Sequence, residues 1–312
     1  MKHTQNIVSE SRLSQPVSLM IATIVWLAAG LVSQQWWIQF ASFLTTVLVM
    51  AEINNGHALI RISSRIVSVA FAILSCTGCF LFHSLEGAIS SLCIAASLLM
   101  LFHTYKDFQS PGRTFYAFML LGISSLTNVH TFFFVPVYWA LMFFYTYSLS
   151  RRTFAASLLG LALPYWIASA WELYQVGHLT PLSEHFRTLT IYRWPADYSS
   201  LSTSRILAFA FVLVTGSIGS THVLSSGYLD KYRIRQLYHC FILLFTFSAV
   251  LLILQPQHYD LCWRVMIISC SPLIGHFAAL TSSRFTNFIF CTLLTAAVLI
   301  TVINLWTLLF LS

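Results

Sequence analysis

Charge is what this sequence has least of. Of its 312 residues only 8% are Asp, Glu, Lys or Arg, while 58% are hydrophobic. A soluble domain carries about 25% charged residues, so too few remain here to coat a water-exposed surface. Other absences narrow the reading further. Apolar and polar residues do not alternate over segments of about ten residues, which excludes a transmembrane β-barrel. There is no Walker loop, no glycine-rich dinucleotide fingerprint and no GxSxG nucleophile elbow, so soluble-type nucleotide or hydrolase chemistry is excluded. There is no HExxH. His83 and Glu86 are close in sequence, but no third ligand joins them and the other histidines are scattered. Neither a metal site nor any other cofactor is expected. Internal repeats, low-complexity tracts and soluble domains are also missing.

The seven cysteines form no disulfide framework. Cys76 and Cys79 make a Cys-x-x-Cys, but within the apolar run VAFAILSCTGCFLF. A redox pair needs a partly exposed, electropositive setting, so these read as small packing residues.

What is present is a series of apolar runs near bilayer length, about 20 residues as helix. In hydrocarbon every backbone amide must pair internally, so the runs are expected to be helices. Residues 1–15 are polar and residues 16–33 form the first run, read as an uncleaved span rather than a signal peptide because so many runs follow. The others are 36–53, 66–82, 87–103, 114–126, 131–149, 153–172, 204–224, 236–255, 262–281 and 286–310. The expectation is an all-α, polytopic transmembrane helix bundle of about 10–11 spans, a single membrane domain over 1–312. The pair 114–126 and 131–149, separated by TNVH, reads either as a tight transmembrane hairpin or as a re-entrant element.

The net charge of +7 does not point to nucleic acid, because the basic residues are dispersed between apolar runs rather than gathered with stacking aromatics. They orient the chain instead. With the N-terminus cytoplasmic and every run crossing, all 16 Lys and Arg but Arg187, Arg193, Arg205 and Arg264 fall on the cytoplasmic side. That asymmetry is the positive-inside rule. Asn54-Asn55-Gly56 is a turn signal opening HALIRISSR, a stretch expected to lie along the headgroups with Arg61 and Arg65 near anionic lipid. Membrane lipids are thus the first expected partners.

The connection 173–203 then lies outside. Thr180-Pro181 reads as a helix start, and Leu182, Phe186 and Leu189 recur at helical spacing before Trp194-Pro195 ends the pattern. This is a short interfacial helix with Tyr192, Trp194 and Tyr198 as anchors. It serves either to hold the loop or to cover a site opening outward. Polar groups collect on the same side. Glu172, at the end of its span in WELYQ, is placed to take a proton from an acceptor hydroxyl. Asp260 and Arg264 stand one helical turn apart. They form either an ion pair or a working pair, with Asp260 as base or metal ligand and Arg264 on a phosphate. Arg187 and Arg193 are the other phosphate-binding candidates, because guanidinium pairs well with phosphate oxygens. A transporter would place its critical groups at broken mid-span helices. Pro136 and Pro164 interrupt two spans, without a matching pair in the other half.

MAEINNGHALIRISSR (50–65), GISSLTNVHTFFFVPVYWALMFF (122–144), LLGLALPYWIASAWELY (158–174) and RVMIISCSPLIGHFAAL (264–280) together resemble an uncharacterised family of Gram-negative inner-membrane proteins. The resemblance implies architecture and location, the bacterial inner membrane, and no catalytic residue. More distantly, Arg264 and Pro272 in a late span are similar to the pattern of GT-C glycosyltransferases that use polyprenyl-phosphate sugars. That likeness implies a polyprenyl-phosphate carrier and an acid in the first outer loop. Here that loop, Ser33-Gln34-Gln35, holds no acid, so Glu86 or Glu172 would stand in for it. The sequence therefore leads first to a non-catalytic envelope component with membrane-protein partners. A lipid-linked sugar transferase comes second and a transporter third.

Overall fold

In the computed structural model, which describes residues 4–62, 64–176, 180–190, 198 and 201–310, every apolar run is helical. The α-helices are α1 (Thr4–Glu10), α2 (Ser14–Ala29), α3 (Trp37–His57), α4 (Ile66–Cys76), α5 (Leu85–Phe102), α6 (Pro111–Thr127), α7 (Val135–Ala140), α8 (Arg151–Val176), α9 (Thr180–Arg187), α10 (Thr203–Ser226), α11 (Tyr232–Leu254), α12 (Tyr259–Leu280) and α13 (Arg284–Phe310). No strand occurs among the described residues. Seven helices are long and apolar enough to cross a membrane, or up to eight if α1 and α2, which meet at 94°, are one broken span. The chain is a helical integral membrane protein.

Local chemistry accounts for the ends of the helices. Gly30 terminates α2 at φ 111°, a conformation that glycine adopts without penalty. Pro111 starts α6, where its missing N–H is not needed. Ser84 caps α5 by accepting from the Gly87 amide. The expected turn at Asn54-Asn55-Gly56 does not open there. Instead α3 continues to His57, and Ala58 takes the left-handed conformation at φ 48°. The reason is tertiary: the Asn54 amide donates to the Ser64 carbonyl at 2.7 Å and so closes the returning loop.

The connections gather into two groups. At one end the Gln5 amide donates to Thr281, Ser64 donates to the Ser9 carbonyl, and Arg61 meets Asp230. There too Arg233 meets His57, and the Lys106 amide donates to the Thr146 carbonyl. At the other end Gln39 donates to the His83 carbonyl, Ser84 to Asp260, and Asn304 to the Thr77 carbonyl. The rings of His130 and His258 stack there at 3.5 Å. We call these the basic end and the far end. Successive apolar runs alternate between them.

The pair 114–126 and 131–149 follows the same alternation. Residues 129–134 form a 3-10 turn at the far end, α7 follows, and a π-helical turn over Leu141–Tyr145 delivers the chain to the basic end. With α6 the segment makes a hairpin between the two ends. The bundle is built around α12. This helix packs on α4, α5, α10 and α11, and 94% of the residues in its apolar stretch are buried, against only 17% in that of α13. Apolar faces on α2, α8 and α13 remain exposed, as lipid-facing helix surfaces do.

Candidate functional site

At the far end α12 begins with Asp260 and carries Arg264 one turn later. Arg264 Nε donates to Asp260 Oδ1 at 2.5 Å, and its Nη2 donates to the Leu81 carbonyl at 2.7 Å. The Ser84 hydroxyl that caps α5 also donates to Asp260 Oδ2 at 2.7 Å. One hydroxyl thus ends a helix and ties it to the pair. Gly87 makes room for this contact, since a Cβ there would lie 2.3 Å from Asp260 Oδ2 and 2.5 Å from Arg264 Nε. Asp260 and Arg264 therefore form the helical ion pair, a charge-assisted bond, and each also fastens a neighbouring segment.

The other candidates stand apart from this pair. Glu172 lies near the end of α8, which packs against α6. No hydrogen bond or ion pair joins it to Asp260 or Arg264 among the described residues. Its Oε2 is screened from solvent and has no hydrogen-bond partner, although Trp171 and Tyr174 beside it are exposed. Glu86 is exposed in the first turn of α5. Arg187 is exposed in the last turn of α9. Arg193 lies outside the described residues, as do Tyr192 and Trp194. The expected short helix is present as α9, and it docks on the bundle. His185 Nε2 lies 3.0 Å from the Ser125 carbonyl, and the Phe186 ring sits 5.0 Å from Tyr165. The Tyr198 hydroxyl donates to the Ile253 carbonyl.

Behind Arg264 the helix ends leave a cavity of about 40 Å³ between α2, α3, α4, α5 and α12. Trp26 and Trp263 form its walls, and Gln39 and Arg264 add polar groups. Both indole N–H groups are buried without a hydrogen-bond partner.

The basic end holds a constellation that sequence reasoning did not assemble. Asp230, with a side chain 1% exposed, accepts from Arg61 Nε at 2.7 Å on one oxygen and from His276 Nε2 at 2.9 Å on the other. His276 Nδ1 lies 3.1 Å from His222 Nδ1. With both rings neutral, His276 has its proton on Nε2, so His222 must donate to the His276 Nδ1 lone pair. The hydrogen-bonded line therefore runs from a buried carboxylate to the half-buried His222. It does not continue into the bundle, because the Tyr238 hydroxyl beyond it donates to the Leu59 carbonyl. Next to it Arg233 Nη2 meets His57 Nδ1 at 3.0 Å, and the His57 and His103 rings lie 4.6 Å apart. The stretch HALIRISSR is only partly at the surface, with Ala58, Arg61 and Arg65 exposed. Leu59 and Ile60 are buried, and Arg61 meets Asp230. The signal that could have exposed this site is Asp230 itself, a lone carboxylate within the basic stretch preceding Lys231, Arg233 and Arg235.

No family model, curated protein or solved structure matches this chain.

Proposed function

We propose that the chain is a multi-pass protein of the bacterial inner membrane, with its N-terminus and basic end in the cytoplasm, acting as a non-catalytic component of the cell envelope. What supports this reading is the use made of the ionised groups. Asp260 and Arg264 satisfy each other and hold α5, while Asp230 is bonded on both oxygens and holds two connections to α12. Groups engaged in this way fasten helices through charge-assisted bonds. The gathering of Arg61, Arg65, Lys106, Arg233 and Arg235 at one end supports the orientation. Membrane lipids cover the exposed faces of α2, α8 and α13, and membrane-protein partners would share them.

A second reading, a GT-C-like transferase taking sugars from a polyprenyl-phosphate carrier, is favoured by one observation: the screened, unpartnered oxygen of Glu172. Lipid mass spectrometry on a deletion strain separates the two. If the intact gene restores an altered profile of polyprenyl-linked sugars and Glu172→Gln does not, the transferase stands. If the profile is unchanged, or is restored equally by Glu172→Gln, the non-catalytic reading stands.

A further inference from the structure

The far-end cavity is lined by Gln39, Thr46, Ser75, Ser91 and Arg264, and by two tryptophans whose indole donors lack a partner. Trp26 and Trp263 are 3% and 2% exposed, and each points an indole N–H at no acceptor. An indole N–H has no acceptor capacity, so these two groups call for an occupant that brings acceptor oxygens. A buried donor left unpaired costs about 1–3 kcal/mol, and here it happens twice beside one space.

Charge and size then define the occupant. Arg264 borders the cavity, but its charge is already matched by Asp260 at 2.5 Å. A phosphate placed there would be a buried anion without a free counter-charge, which is strongly unfavourable. A neutral acceptor carries no such penalty. The volume of about 40 Å³ is far below the roughly 150 Å³ that accommodates an aromatic ring, so a sugar does not fit. A carbonyl with its neighbouring atoms does. The walls are built to preserve this space. The Trp263 ring packs against Gly78, where a Cβ would come within 2.0 Å of it, and Trp26 is held by Phe82 stacked at 3.8 Å. Gln39, half-buried where α3 begins near the far end, lines the cavity and is bonded to the His83 carbonyl.

We propose that this cavity is a binding site for the neutral ester carbonyl of a membrane lipid in the leaflet at the far end, held by the indole N–H groups of Trp26 and Trp263.

The purified full-length chain can be tested by native mass spectrometry and thermal unfolding with two phosphatidylglycerols of equal chain length, one ester-linked and one ether-linked. The ether lipid lacks only the carbonyls. The ester lipid is expected to be retained and to raise the unfolding temperature, the ether lipid to do neither. Trp26→Phe and Trp263→Phe keep an aromatic ring and remove the donor. Each is expected to weaken ester-lipid retention about three- to tenfold, while Trp166→Phe on an exposed face leaves it unchanged. Equal retention of both lipids overturns the proposal and leaves the cavity to water. Retention that follows an anionic headgroup whatever the linkage also overturns it, in favour of a phosphate site. The linkage comparison uses the unaltered chain, so it decides the matter even if a tryptophan variant fails to fold.

Discussion

Two aspartates of this chain show how the surroundings set the worth of a carboxylate. Asp230 is 1% exposed in its side chain and bonded to Arg61 and His276, whereas Asp260 is 29% exposed and bonded to Arg264 and Ser84. Removing one member of a buried pair leaves the others desolvated and unmatched, a loss of about 3–5 kcal/mol. Arg61 remains 39% exposed, so water can recover part of that loss. Asp230→Asn is therefore expected to destabilise the protein by about 3 kcal/mol, and Asp260→Asn by about 1.5 kcal/mol. Thermal unfolding of both variants in one detergent would check the order. A larger effect at Asp260 would contradict the view that the basic-end network is the stronger fastening.

At the scale of elements, helices pack closely where glycine permits it. A Cβ on Gly160 would lie 2.4 Å from the Phe115 carbonyl oxygen, backbone that cannot move aside, whereas a Cβ on Gly112 would meet nothing within 4 Å. The same substitution should thus have opposite signs at the two sites. Gly160→Ala is expected to separate α6 from α8 and destabilise by about 1–3 kcal/mol. Gly112→Ala should stabilise by about 0.5–1 kcal/mol through helix propensity. Paired unfolding curves decide it, and the same sign at both sites would refute the packing argument. The peripheral α13 is held differently. Asn304 donates to the Thr77 carbonyl at 2.7 Å, at the end of α4. Such interhelical bonds contribute about 0.6–1.7 kcal/mol in a membrane. Asn304→Leu should therefore loosen α13, seen as faster proteolysis or hydrogen exchange in that helix alone.

For the whole molecule the question is sidedness. If the basic end is cytoplasmic, Gln34→Cys should react with a membrane-impermeant maleimide in intact cells, and Tyr228→Cys should react only after lysis. The native cysteines contribute little background, since all but Cys291 are buried. The reverse pattern would invert the proposed orientation. Most of the architecture behind this test was legible in the sequence. Apolar run length marked the helices, and the distribution of Lys and Arg separated the connections that now meet at two ends. The candidate site was legible only in part. Asp260 and Arg264 were readable because their four-residue spacing places them on one helix face. Arg61, Asp230, His222 and His276 come from separate segments, so no local spacing announces them.

The sequence by itself determined the solvent and the secondary structure of this protein. Scarce charge and repeated apolar runs leave a bilayer as the only medium that suits them, and a bilayer leaves helices as the way to satisfy the backbone. Only the tertiary structure decided which helix lies at the centre, because hydrophobicity along α12 and α13 is high in both, yet 94% of the residues in one apolar stretch are buried and 17% in the other. Burial inside a membrane protein is set by shape and by polar fastenings, not by apolarity, since lipid is as apolar as the core. For the same reason tertiary structure alone decided that Arg61 meets Asp230 and that two tryptophans with unpartnered indole N–H groups line one cavity. Those outcomes depend on which helices meet, and a pattern read along one helix does not contain its neighbours.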